Sequence, residues 1–269
     1  MNEWIFYHHI SPYIASFGSF HLGWYGMMYF ISFMIFYAIL AKQARQKGAF
    51  LNEVEVSDLV TYVVAGTIVG GRMGYILFYG QGSYLENPLR IFMIWQGGMS
   101  FHGGLAGVTV ALWAFARRNQ KDLLNLGDYV VTWTPIGLFF GRIGNFINAE
   151  LYGKPTDGTW GVVFPTDPER LPRHPSQLYQ SFMEGLVLLS VLMLLRKYFP
   201  HRRGLQPAAA LTGFATFRIV VEFVRLPDAH MGYYWGWATM GQILSVPMLL
   251  LGLGWIVYIF RQHPAEPEK

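Results

Sequence analysis

Long apolar runs separated by short polar segments organise this chain. The runs fall at about residues 19–41, 57–79, 99–116, 126–147, 176–196, 206–226 and 237–260. Several reach the roughly 20 residues that a helix needs to cross the hydrocarbon core of a bilayer. The pattern predicts an all-α integral membrane protein of about seven transmembrane helices, with residues 1–269 forming a single polytopic domain. The longest polar segment, 148–175, is rich in Pro, Gly and charge of both signs, and reads as an external loop or small head.

Basic residues mark the turns unevenly. Lys42, Arg45 and Lys47 follow the first run, Arg117, Arg118 and Lys121 the third, Arg196, Lys197, Arg202 and Arg203 the fifth, and Arg261 and Lys269 the seventh. The loop after the second run offers Arg90, and the loop after the sixth offers no Lys or Arg. The positive-inside rule then places the N-terminus outside and the C-terminus in the cytoplasm, as an odd number of crossings requires. The opening residues MNEWIFYHHISPY lack a basic n-region and a small-residue cleavage site, so no cleaved signal peptide is expected.

Composition agrees with this pattern. Hydrophobic residues make up 53% of the chain and charged residues 13%, against about 25% charged in an ordinary soluble domain. No cysteine is present, which excludes disulfides and thiolate metal sites and means that any reacting thiol belongs to a substrate. Glycines four apart recur as Gly66, Gly70 and Gly74, as Gly103 and Gly107, and as Gly137 and Gly141. Such spacing predicts close helix contacts, because small residues let backbones approach inside a bilayer.

The polar residues within the apolar runs carry the candidate chemistry. With the predicted topology, Arg72, Arg142, Arg218, Glu222 and Arg225 lie late in outward-running spans. Tyr25 and His102 lie early in inward-running ones, so all fall in the outer half of the membrane. An arginine inside a span costs roughly 2.5–3.5 kcal/mol on insertion scales, so the four need partners. Arg218, Glu222 and Arg225 share one helix face, where Glu222 neutralises one arginine and an excess of guanidinium is expected to remain. Such an excess suits a phosphate, which arginine grips through paired hydrogen bonds.

His102, in SFHGG (100–104), is open between packing and proton transfer; glycines clear space around the ring, and an ordinary histidine pKa near 6.5 suits proton transfer at neutral pH. Tyr25, read alone, is an interfacial aromatic. In GRIGNFINAELYG (141–153), a polar helix end capping itself explains Asn148 and Glu150 but leaves Arg142 unexplained.

These residues also carry a resemblance. The segments HLGWYG (21–26), GGRMGYILFY (70–79), GGMSFHGGLAG (97–107), GRIGNFINAELYG (141–153), HPSQLYQ (174–180) and FRIVVEFVRLPD (217–228) resemble the prolipoprotein diacylglyceryl transferase family, in order and over nearly the whole chain. The resemblance implies an enzyme of the bacterial inner membrane that works at the periplasmic leaflet, with a periplasmic N-terminus and head. Its expected partners are phosphatidylglycerol, the lipobox segment of a prolipoprotein and the bilayer, with no nucleic acid. The reaction it implies joins the diacylglyceryl group to the lipobox cysteine as a thioether and releases glycerol 1-phosphate, the first step of lipoprotein maturation.

Carried over by motif, the resemblance marks His102, Arg142, Asn145, Arg218 and Glu222, with Tyr25, Glu150 and Gly153. His102 is then the candidate base, Arg142 and Arg218 the groups that stabilise the departing phosphate, and Asn145 a further donor. Arg72 and Arg225 stay divided between structure and substrate binding. Phe214 departs from the tyrosine that some members carry there. No cofactor or metal is expected, since His8, His9 and His21 are scattered. A lipid transporter would show polar residues through the full membrane depth, and an intramembrane protease would need a motif such as Gly-x-Ser-x-Gly or His-Glu-x-x-His, absent here.

Overall fold

The computed structural model of the chain describes residues 4–18, 20–79, 84, 87–93, 97–227 and 232–262; the side chains of Phe20, Phe101 and His102 lie outside that description. Three short strands open the chain: β1 (Trp4–Tyr7), β2 (Tyr13–Phe17) and β3 (Phe20–Gly23). Helices α1 (Trp24–Ala44), α2 (Glu53–Tyr79), α3 (Phe101–Arg118), α4 (Leu123–Val131) and α5 (Thr134–Ile147) follow. Strands β4 (Trp160–Val163) and β5 (Pro172–Arg173) precede α6 (Ser176–Tyr198), α7 (Leu205–Glu222) and α8 (Met240–Gln262).

Each of the seven predicted apolar stretches carries a helix, so the described chain is mostly helical. Four helical stretches are long and apolar enough to cross a membrane, namely Trp24–Ala44, Glu53–Phe78, Ser176–Tyr198 and Met240–Gln262. The fourth predicted stretch is broken between α4 and α5. Pro135, in the first turn of α5, lacks an N–H and clashes with the carbonyl four residues back, so the helix of α4 cannot run on through it.

The chain forms two compact units. One comprises Tyr37–Gly127, and its core is the seam between α2 and α3. A Cβ on Gly66 would lie 2.6 Å from the Gly107 carbonyl oxygen, and a Cβ on Gly74 would lie 2.6 Å from the Gly103 Cα. The predicted glycine contacts are therefore backbone against backbone. Gly137 and Gly141 of α5 depart from the expectation. Among the described residues a Cβ on Gly137 meets nothing within 4 Å, and one on Gly141 meets only the Tyr29 hydroxyl at 3.9 Å.

The other unit comprises Met1–Phe36 and Asp128–Lys269. Its head is not wholly loop. β1 pairs in parallel with β4 (Trp4 opposite Trp160), and β4 pairs antiparallel with β5. An all-α reading missed this sheet, because short strands joined across such a sequence separation leave no local pattern. The head closes on Phe164, Val162 and Ala149. Arg173, buried, grips the buried Asp167 carboxylate through Nε at 2.6 Å and Nη2 at 2.9 Å. Burial works to raise the Asp167 pKa, but Arg173 and the Glu169 and Leu171 amides outweigh it and hold the carboxyl below its ordinary value. In the same unit, the Asp128 carboxylate accepts the Gly204 and Gln206 amides at 2.6 and 2.9 Å, which caps the N-terminus of α7.

Candidate functional site

The C-terminal end of α5 begins the site. Its chain leaves the helix through Ala149 and Leu151, at φ 55° and 58°, so two residues with side chains occupy the left-handed region on either side of Glu150. Such a turn persists only where its surroundings over-determine it. Here the Glu150 amide donates to the Asn145 carbonyl at 3.1 Å, Gln177 Nε2 donates to the Glu150 carbonyl at 2.6 Å, and Ser176 Oγ donates to the Leu151 carbonyl at 3.0 Å. Asn145 Nδ2 in turn donates to Glu150 Oε1 at 2.8 Å. The carboxylate is exposed, yet its backbone is fixed on three sides.

One turn back on α5, Arg142 faces Glu184 of α6, with Nε and Nη2 each 3.4 Å from Oε2. Its Nη1 reaches Asn145 Oδ1 at 3.5 Å. Tyr25, at the start of α1, lays its ring over Gly144, where a Cβ would come within 3.0 Å of Tyr25 Cδ2. The Tyr25 hydroxyl lies 3.3 Å from that of Tyr29, and Glu150 and Arg142 are both within its electrostatic reach.

Helix α7 supplies the second part. Arg218 Nη2 meets Glu222 Oε1 at 2.7 Å, and Arg225 Nη1 meets the same oxygen at 3.1 Å. The Thr239 hydroxyl donates to the other carboxylate oxygen at 2.6 Å, and Gly241 leaves the space that Glu222 fills. Arg142 and Glu184 lie within electrostatic reach of Arg218, so the arginines of α5 and α7 belong to one cluster. Gly153 ties the head to this helix. It bridges to Arg225, and a Cβ there would lie 2.6 Å from the Val224 carbonyl oxygen. Phe214 packs against the apolar cluster of Leu188, Leu192 and Ala209.

In this cluster Arg142 pairs with Glu184, while Arg218 and Arg225 share Glu222, so three arginines meet two buried carboxylates; Glu150 is held by Asn145. Exposure separates them: the side chains of Arg142 and Arg218 are 20% and 17% exposed, against 0% for Glu184 and 1% for Glu222. The anions lie behind the arginines. Sequence reading missed Glu184, a single acid within an otherwise apolar stretch. It also gave no role to Gln177, Gln180 or Thr239, although the two glutamines stand in the HPSQLYQ segment.

Arg72 belongs to the Tyr37–Gly127 unit and is buried there. Its Nε donates to the Ile91 carbonyl at 2.9 Å and its Nη1 to those of Gly97 and Gly98 at 2.6 and 3.0 Å, while Nη2 reaches the Arg90 and Met93 carbonyls. Gly97 and Gly98 both hold left-handed φ, and they lead into Ser100, whose side chain caps α3 by accepting the Gly103 amide. His102 occupies the first turn of that helix, and its side chain lies outside the described residues.

Known proteins resemble the chain closely. The family model described as prolipoprotein diacylglyceryl transferase matches residues 12–258. A phosphatidylglycerol–prolipoprotein diacylglyceryl transferase of Ectopseudomonas mendocina is 46% identical over 266 residues, covering 97% of this chain and 98% of the relative. Relatives of the same name from Pseudomonas putida F1 and Azotobacter vinelandii are 47% and 46% identical over 270 and 263 residues. They cover 97% and 96% of this chain, and 98% and 97% of their own lengths. With its apolar helices and a family match along nearly its whole length, the chain is a multi-pass membrane protein and belongs to the prolipoprotein diacylglyceryl transferase family.

Proposed function

We propose that this chain transfers the diacylglyceryl group of phosphatidylglycerol to the lipobox cysteine of a prolipoprotein, in the maturation of bacterial lipoproteins. Sulfur attacks the glyceryl carbon that bears the phosphate ester; the S–C bond forms as the C–O bond breaks, and glycerol 1-phosphate leaves. The observation that carries the reading is the layering of the α5–α7 cluster, with partly exposed Arg142 and Arg218 backed by buried Glu184 and Glu222. Guanidinium edges turned outward from buried counter-charges suit a phosphate that gains charge as it departs. Asn145 orients Glu150 and stands beside Arg142 as a further donor.

A free thiol has a pKa near 8.5, so its proton must be taken as sulfur attacks. His102 is our candidate base on the strength of its sequence motif. Arg72 serves the same end indirectly, since it organises the Gly97–Gly98 turn that leads into α3. Arg225 and Gly153 we read as fastening the head to the end of α7.

We read the chain as one polytopic domain of the inner membrane that crosses seven times, with the N-terminus, the head and the active site periplasmic. The parallel pairing of β1 with β4 supports this topology, because four predicted spans separate the two strands and an even number of crossings returns the chain to the same side. The test is direct. Purified protein, phosphatidylglycerol vesicles and a lipobox peptide are combined, and the peptide is weighed by mass spectrometry. A diacylglyceryl adduct on the cysteine is expected; an unmodified peptide under conditions where the protein stays folded overturns the reading.

A further inference from the structure

Glu184 lies in the one irregular segment of α6. Between Ser176–Gln180 and Leu188–Tyr198 the helix widens into a π turn over Ser181–Val187. Such turns are rare and recur at functional sites, because they redirect a side chain at the expense of regular hydrogen bonding. This one is fastened to α5. Ser181 Oγ donates to the Phe139 carbonyl at 3.1 Å, and Gly185 is so close to Phe139 that a Cβ would lie 2.7 Å from that of Phe139. Phe139 precedes Arg142 by one turn, so the π segment is anchored beside the arginine.

Within it Glu184 is wholly buried. A carboxylate in that position is costly unless fully engaged. Oε1 accepts Gln180 Nε2 at 3.1 Å, and Oε2 takes both Nε and Nη2 of Arg142 at 3.4 Å. Two N–H groups of Arg142 thus converge on one carboxylate oxygen, at distances longer than the about 2.7–2.9 Å of a tight guanidinium–carboxylate fork. This contact fixes the plane of the guanidinium while leaving its Nη1 side toward Asn145.

We propose that Glu184 is the positioning residue for Arg142: it holds the guanidinium by its buried edge, oriented by Gln180 and the π turn, so that the outer edge meets the lipid phosphate. The inference rests on the reading of Arg142 as a phosphate ligand. Glu184 itself does not touch the substrate; it neutralises Arg142 before the phosphate arrives and stops it from swinging away when the phosphate bears most charge.

The test is a double-mutant cycle of Glu184→Gln and Arg142→Lys, with initial rates measured against phosphatidylglycerol and against lipobox peptide, and with melting in detergent recorded for each variant. Misplacing a catalytic group by about 1 Å costs on the order of a hundredfold in rate. Glu184→Gln is expected to lose that much in kcat/KM for the lipid, with the KM for peptide unchanged, and the double variant to be no worse than Arg142→Lys alone. If the two losses multiply, Glu184 acts independently of Arg142 and the inference fails while the phosphate reading stands. Full activity in Glu184→Gln overturns the inference, and full activity in both Arg142→Lys and Arg142→Gln overturns the phosphate reading as well. Should Glu184→Gln not fold, Glu184→Asp, which keeps the charge but shortens the reach, takes its place under the same criteria.

Discussion

Asn145 and Glu150 are joined across the end of α5 by a single amide-to-carboxylate hydrogen bond of 2.8 Å, inside a turn that two left-handed residues hold open. The Asn145 side chain bonds at both ends, since its oxygen faces Arg142 and its nitrogen faces Glu150. Asn145→Asp replaces that donor with a second carboxylate, and like charges at such range disfavour each other. Transfer should fall about a hundredfold, as for a lost transition-state donor. Adding Glu150→Gln, which removes the repulsion, should recover part of it; a double variant as poor as Asn145→Asp would show that the pair does not act as a unit.

Arg142→Ala and Arg142→Lys should part company. Alanine strands a fully buried Glu184, and removing one partner of a buried pair destabilises by about 3–5 kcal/mol. The alanine variant should therefore lose thermal stability as well as activity. Lysine keeps the charge but not the fork, so it should melt close to the parent while transferring slowly. Equal melting of the two variants would contradict the Arg142–Glu184 pairing.

The glycines offer a matched control. Gly107→Ala forces a methyl into the Gly66–Gly70 backbone and should destabilise the Tyr37–Gly127 unit. Gly137→Ala places the same methyl in open space and should be neutral or stabilising by about 0.5–1 kcal/mol, since alanine is the better helix former. Melting curves of the two variants decide the matter.

His8 gives the head a pH dependence. Its ring is 2% exposed, set between Phe146 and Phe164 at 5.2 and 5.6 Å, and among the described residues its nitrogens have no hydrogen-bond partner. Burial pulls its pKa below the ordinary 6.5. The folded head therefore binds its proton less readily than the unfolded chain does. Its contribution to stability is complete above that ordinary value and is lost as pH falls from there toward the folded pKa. Hydrogen exchange at residues 4–8 and 160–163 should quicken from neutral to mildly acidic pH; His8→Phe should reduce the change, and the remainder belongs to His174, whose pKa burial also lowers and whose ring packs against Trp160.

The apolar runs were legible because the bilayer imposes a length and a composition that few other environments do, and the Gly66, Gly70 and Gly74 spacing was legible because close packing demands it. The break before Pro135 was written in the sequence but lost inside a longer apolar run. Glu184 escaped because one acid barely alters the hydropathy of its stretch, and its purpose shows only when Arg142 is seen opposite. For the same reason Arg142 was weighed in the sequence without Glu184, its buried counter-charge. Gly137 and Gly141 carried the right spacing, but among the described residues no other backbone comes within 4 Å of a Cβ at either.

The partnership of Trp4 with Trp160 imposes an order of events. A ribosome makes β1 early and β4 only after several apolar stretches have gone into the bilayer, so the first strand must wait, unpaired, for a partner not yet synthesised. The two can zip together only if the intervening helices have been threaded so that both ends arrive on one side. Closure of this small sheet thus requires the chain between Tyr7 and Trp160 to return to the side it left, and a mis-threaded chain leaves Trp4–Tyr7 without its partner strand.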